Sequence, residues 1–244
     1  MILLLTGCIN PDGMAYTALC NVEERKKQYV NAIQFYLSST NYPIVFTENS
    51  GTDISSRFED SIKQGRLECL TFHGNHHKEK GKGYGECEII EYALDHSHLI
   101  QTAHGLSIAK ITGRLIVRNI NRIIRLHRFF FSCRTVFCSI NSDLSFPDSR
   151  LIVAPIDFYR TFLKSKDDIN DSKGYFFEHA LCDTLKRETN YPYVPFIFMP
   201  RIEGSSGSTG AVYVKEAKSW PFTFKYIKYA LSQYRRFNKL YRDK

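Results

Sequence analysis

At 244 residues the chain is long enough to bury a full core, and its 43% hydrophobic and 24% charged content are globular values that exclude a disordered polymer. The formal net charge is +8, and it is concentrated: residues 110–134 carry seven Lys/Arg and no acid, and residues 219–244 carry seven with one acid. Localised basic surfaces of this kind suit phosphorylated ligands, anionic lipid or nucleic acid.

The chain opens on an apolar run, residues 2–5, that reads as a buried strand and is too short for a signal-peptide core. A turn-rich Gly-Cys-Ile-Asn-Pro-Asp-Gly follows, then a helix over 22–37 with Tyr29, Ala32, Ile33 and Tyr36 on its apolar face. Residues 43–46 form a second strand, 54–64 a short helix and 67–72 a third strand. Strands alternating with helices at this spacing predict a mostly parallel α/β sheet, which binds ligands beyond the carboxyl ends of its strands. The first two strand ends bring Thr6, Gly7 and Glu48 forward as ligand-facing residues.

Residues 81–114 combine three chemically useful pieces. Gly81, Gly83 and Gly85 make a turn that lets a ligand approach the backbone closely. A helix follows at once, with Cys87, Ile90, Ala93 and Leu94 apolar and with Glu86 and Glu88 in its first turn, where acids suit the helix dipole. A short strand then ends in Lys110-Ile111-Thr112-Gly113-Arg114, two cations four residues apart around a hydroxyl and a glycine. That grouping suits a diphosphate.

Further along, 121–128 reads as a basic helix, 135–140 as a buried strand running into Asn141-Ser142-Asp143, and 151–153 as another strand. Helices are expected over 156–164 and 174–187, extended structure over 191–200, and a flexible Gly/Ser loop over 204–210. The last segment, 220–241, interleaves aromatics with five Lys/Arg, the pattern of a basic amphipathic helix that either lies on a membrane surface or docks on the domain with a solvated basic edge. The expected organisation is one domain over 1–218 and a C-terminal helix over 219–244.

Several metal and disulfide chemistries are disfavoured. The seven cysteines are odd in number and none form a Cys-x-x-Cys pair, against both a disulfide framework and a zinc ribbon. His73 and His77 have the spacing of a hydrolytic zinc helix, but Gly74 and Asn75 between them oppose a helix and no Glu follows the first His.

Gly81-Lys82-Gly83-Tyr84-Gly85-Glu86, Lys110-Ile111-Thr112-Gly113-Arg114 and the late Gly204-Ser205-Ser206-Gly207-Ser208 loop together resemble the small bacterial glycosyltransferases encoded with lipopolysaccharide, O-antigen or capsule assembly. The resemblance spans most of residues 1–215 and implies a GT-A-type, Rossmann-like fold: a mostly parallel sheet flanked by helices. It also implies a nucleotide-sugar donor, with a UDP-sugar as first choice and transfer of a hexose as the expected type. A lipid-linked or saccharide acceptor follows, in a cytoplasmic protein peripheral on the inner face of the membrane and held there by its C-terminal helix. Donor-binding positions would be Thr6, Gly7, Glu48, Lys110, Thr112, Arg114 and Asp143.

Many such enzymes hold Mg²⁺ or Mn²⁺ with an Asp-x-Asp. Here Asn141-Ser142-Asp143 keeps only the second carboxylate, which leaves Asp143 as a lone metal-ligand candidate and shifts weight onto Lys110 and Arg114. For the acceptor proton an inverting enzyme needs a base; Glu178 is the first candidate and Asp157 the second. Two rivals are a basic RNA-binding module and a catalytically inactive scaffold. No nucleic-acid motif supports the first, so nucleic acid is not an expected partner.

Overall fold

The computed structural model describes residues 1–13, 17–103, 105–130, 134–206, 212–213 and 220–242. Strand β1 (Ile2–Gly7) is followed by α1 (Val22–Ser39), β2 (Ile44–Glu48), α2 (Glu59–Lys63) and β3 (Leu67–Thr71). Next come α3 (Lys82–His96), α4 (His98–Gln101), β4 (Ser107–Thr112), β5 (Ile116–Val117) and α5 (Ile120–Phe130). The rest is β6 (Val136–Phe137), β7 (Leu151–Pro155), α6 (Ile156–Leu163), α7 (Phe177–Arg187), β8 (Tyr193–Val194), β9 (Ile202–Ser205), β10 (Val212–Tyr213) and α8 (Trp220–Tyr241).

Seven strands form one sheet in the order β3-β2-β1-β4-β7-β6-β8, and β10-β9-β5 form a small second sheet. The first four strands of the large sheet are mutually parallel, β7 runs antiparallel to both neighbours, and β8 is again parallel to β6. This is the mostly parallel, helix-flanked Rossmann-like α/β sheet expected from the alternation of elements. The strands read as continuous apolar runs because both faces are covered: Leu3, Leu5, Phe46 and Ile111 pack on the side of α1 and α5, while Ile2, Leu4 and Ile108 pack on the side of α3, α6 and α7.

In the large sheet the antiparallel strand β7 is the one element whose direction the alternation of elements does not predict. Its five buried residues are apolar like the rest, and nothing in an apolar run encodes strand direction. Helix α8 lies against the body of the protein rather than apart from it. Phe237 is fully buried with its ring 4.7 Å from that of Tyr193, and Gln233 and Ala230 are buried one and two turns earlier. No helix among the described residues is long and apolar enough to cross a membrane.

Candidate active site

β1 lies at the middle of the sheet, with β2 on one side and β4 on the other, both parallel to it. The chain winds outward through β2 and β3, then returns to place β4 on the opposite flank, so a crevice opens where β1 and β4 end. A cavity of about 870 Å³ occupies that crevice, and Thr6, Gly7 and Cys8 from β1 and Thr112 and Arg114 from β4 line it. Thr6 and Thr112 are register partners, and the Gly113 amide donates to the Thr6 carbonyl oxygen at 2.8 Å. Gly113 is required for this approach: a Cβ there would sit 2.7 Å from that oxygen.

The Gly-rich turn brings the N-terminus of α3 to the same cavity. Gly81 enters at φ +92°, a conformation that glycine adopts without strain. Asp171 then caps the helix from a distant segment, its Oδ2 accepting from the Gly83 amide at 3.1 Å. A Cβ on Gly83 would come within 2.8 Å of Asp171 Oδ1, so the cap and the glycine require each other. Burial raises the Asp171 carboxyl above its usual value against the pull of the Gly83 and Lys82 amides. Lys82, at the head of the helix and in the cavity wall, is held below the ordinary lysine value, chiefly by burial and against the attraction of Asp171.

The cations around the cavity are in different states. Arg25 is committed to structure, donating to the Cys8 and Ile9 carbonyls, the latter at 3.1 Å. Arg150 is neutralised by Asp148, with a second contact at 2.8 Å. Arg114 is only 9% exposed, donates to the Ser205 carbonyl oxygen and makes no ion pair among the described residues. A guanidinium in so little water, with no carboxylate in direct contact among the described residues, favours an incoming anion. Burial accordingly lowers its pKa from the ordinary value.

Lys110 has another role. Its side chain is wholly buried beneath the cavity, paired with Glu86 and donating to the Ser149 carbonyl oxygen at 2.8 Å. Glu86 also accepts from the Thr6 hydroxyl at 2.7 Å, and the Ser149 hydroxyl donates to Glu178 at 2.6 Å. One polar chain thus joins β1, α3, β4, the loop before β7, and α7. Burial raises the Glu178 carboxyl, opposed first by the Ser149 hydrogen bond, so a proton acceptor with a raised pKa lines the same cavity as Arg114 and Lys82.

The structure therefore brings Thr6, Gly7, Thr112, Arg114 and Glu178 together around one cavity, with Lys110 under its floor. It places three sequence candidates elsewhere. Glu48 is fully buried and its carboxylate is taken up by the Ile9, Ser50 and Thr52 amides, which fold the turn after β2. Asp143 is exposed and accepts from the Ser145 amide at 2.9 Å, closing a local turn outside the cavity wall. Asp157 is exposed on α6 and borders a separate hollow beside Arg160 and Tyr191.

The described residues form no ready-made cage for a divalent ion: no three His, Cys, Asp or Glu side chains cluster as ligands. Of the four cavity carboxylates, Glu86 and Asp148 are each bound to a cation, Asp171 caps α3 and Glu178 accepts from Ser149. Within the Gly/Ser loop, residues 207–210 lie outside the described residues.

Sequence reasoning missed Asp171, Arg25, Arg150 and the wall that α8 contributes. The Asp148-Ser149-Arg150 run before β7 is the one local signal among these. Asp171 reaches the α3 N-terminus across 88 residues of chain, which no spacing rule reveals.

No protein-family model matches the chain, and no curated protein matches it. The resemblance to glycosyltransferases therefore stands on its short motifs alone. Seventeen chains of solved structures match. One is a cytidylyltransferase from Leptospira borgpetersenii serovar Hardjo-bovis (strain JB197), with 8% sequence identity and a TM-score of 0.43, over 100% of this chain and 97% of that one.

Proposed function

We propose that this protein is a glycosyltransferase that moves a sugar from a nucleotide-sugar donor to a saccharide or lipid-linked acceptor in bacterial surface polysaccharide synthesis. The observation that carries the reading is Arg114: a nearly buried guanidinium, with no ion pair among the described residues, at the point where the sheet topology reverses and in the same cavity wall as the N-terminus of α3. An anionic diphosphate would be held by Arg114, Lys82 and the neighbouring amides, which spread the charge that develops as it leaves. Glu178 is the base in this scheme. It takes the proton of the acceptor hydroxyl as that oxygen bonds to the anomeric carbon and the bond to the diphosphate oxygen breaks.

The outward face of α8 supports an acceptor presented at a membrane surface. Phe224, Leu231 and Leu240 are exposed there among Lys225, Lys228 and Arg235, a pattern that suits an anionic lipid interface.

The deciding experiment is a thermal-shift screen with UDP-, GDP-, CMP- and dTDP-sugars, with and without Mg²⁺ or Mn²⁺. A bound donor at a hundred times its Kd stabilises the fold by about 2.7 kcal/mol. A rise in Tm with one nucleotide class, followed by release of its diphosphate in the presence of an acceptor, is expected. No rise with any of them would sink the reading, and consumption of a nucleoside triphosphate with release of pyrophosphate would reassign the site to nucleotidyl transfer.

A further inference from the structure

The cavity is chemically two-sided. Its cations Arg25, Lys82, Arg114 and Arg150 come from α1, α3 and the segments next to β4 and β7. At the other end the wall is built by β8 and α8, which contribute Tyr193, Tyr226, Tyr229 and Gln233. No Lys, Arg, Asp or Glu of α8 lines the cavity among the described residues. Arg236 of that helix is exposed and donates to the Ser142 carbonyl oxygen at 2.6 Å.

Two polar groups in this wall have no hydrogen-bond partner among the described residues. Tyr193 is 0% exposed and its hydroxyl is unmatched; Gln233 is 4% exposed and its Oε1 is unmatched. A buried polar atom without a partner costs about 1–3 kcal/mol, so these two on one wall mark a place where a ligand supplies the hydrogen bonds. The rings around them are held in place. The Tyr226 and Ser139 hydroxyls lie 3.1 Å apart, the Tyr229 hydroxyl donates to the Ile140 carbonyl oxygen at 3.3 Å, and the two rings are 6.3 Å apart.

We infer that the α8 end of the cavity is a subsite for a neutral saccharide, the acceptor end of the reaction, with Tyr193 and Gln233 selecting it. The inference rests on the glycosyltransferase reading for the word acceptor, but not for the ligand class. A pyranose ring offers an apolar C–H face to the tyrosine rings and hydroxyls to Tyr193 and Gln233, which matches both halves of the surface. No Lys or Arg of β8 or α8 lines the cavity among the described residues, so this wall offers an acidic sugar no direct ion pair to offset its desolvation. Glu178 follows Phe176 and Phe177 in the cavity wall, so the base shares one cavity with the α8 tyrosines and with the cations.

Saturation-transfer NMR on the full chain tests this, with the methyl glycosides of glucose, galactose and N-acetylglucosamine set against methyl glucuronoside and a short prenyl alcohol. At least one neutral glycoside is expected to bind. Its affinity should fall about tenfold in Tyr193→Phe and in Gln233→Leu, while UDP or whichever nucleotide binds keeps its Kd. Tyr193→Phe removes only an oxygen that no described protein group hydrogen-bonds, so it should fold even if Gln233→Leu does not.

A preference for the glucuronoside, for the prenyl alcohol alone, or a neutral glycoside indifferent to both substitutions overturns the inference. Nucleotide binding with no glycoside binding overturns it too, and leaves the donor reading intact. Glycoside binding that depends on Tyr193 and Gln233 without any nucleotide binding supports it, and removes the donor reading instead.

Discussion

The ammonium of Lys110 is buried to 0% exposure against the carboxylate of Glu86, which itself keeps 24% of its side-chain surface open. The pair links the middle of β4 to the second turn of α3, and Glu86 passes the constraint to Thr6 at the end of β1. Lys110 therefore acts on the site from beneath, by fixing the residues that touch the ligand.

Breaking this pair from one side should be costly. Lys110→Met leaves a carboxylate beside an apolar core, and Glu86→Gln leaves a buried ammonium; each is expected to destabilise the fold by about 3–5 kcal/mol. The double variant should lose clearly less than the sum, since neither orphaned charge then remains. Urea titrations of the four proteins measure this, and strict additivity would show that the two residues do not act as a pair.

Arg114 carries the opposite expectation. Arg114→Ala removes a guanidinium with no ion-pair partner among the described residues, so the fold should tolerate it while the ligand does not. The loss of a charge-assisted hydrogen bond weakens nucleotide binding by about 1.5–3 kcal/mol, roughly tenfold to a hundredfold in Kd. Calorimetric titration of the nucleotide that raises Tm checks it; unchanged affinity would remove Arg114 from the site.

Much of this arrangement was legible in the sequence, and the limits have physical causes. The alternation of elements gives the sheet, and the period of two along β4 puts Ile108, Lys110 and Thr112 on one face with Ala109 and Ile111 on the other. That pattern predicts that Lys110 and Thr112 share a side, but not that a carboxylate 24 positions earlier would already claim the lysine. Asp143 looked like a metal ligand because it follows a strand. The structure turns it outward, where a buried Leu144 at φ +63° and the Ser145 cap define a local turn. In the last helix the aromatic-basic composition is equal to two tasks, and the spacing of Ala230, Gln233 and Phe237 decides which residues face inward.

Glu178 gives a pH prediction with a definite sign. Its folded pKa lies above the unfolded one because burial disfavours the carboxylate. The folded form then binds more protons in that interval, so the contribution of Glu178 to stability is greatest below the ordinary carboxylate pKa and is lost as pH rises through the raised value. Catalysis runs the other way, since the base works only when ionised. The acid limb of kcat/KM should therefore lie above the ordinary carboxylate range, and Glu178→Gln should remove that limb, lower kcat about 10²–10⁴-fold and flatten the loss of stability. A variant with wild-type turnover and an unchanged pH profile would exclude Glu178 as the base.

Asp143→Asn and Asp157→Asn serve as a pair of outward-facing substitutions. Both carboxylates are exposed and outside the cavity wall, so each substitution should leave stability close to wild type and nucleotide binding as it was, with or without Mg²⁺. A magnesium-dependent Tm shift abolished by Asp143→Asn alone would return that residue to the donor site.

Gly113→Ala tests the geometry of the crevice. The added Cβ meets the Thr6 backbone oxygen at 2.7 Å, closer than real Cβ atoms approach, so the ends of β1 and β4 must part. Overpacking of this kind costs about 1–3 kcal/mol, and here it also displaces Thr112 and Arg114, the two residues that flank the glycine in the cavity wall. Nucleotide affinity should fall along with Tm. Gly65→Ala is the matched comparison: its φ of +68° disfavours a side chain, but nothing lies within 4 Å, and the turn before β3 is at the far end of the sheet. That substitution should cost about 1 kcal/mol through backbone strain and leave nucleotide affinity unchanged. If both variants lower Tm equally and neither alters affinity, the contact between Gly113 and Thr6 does not shape the site.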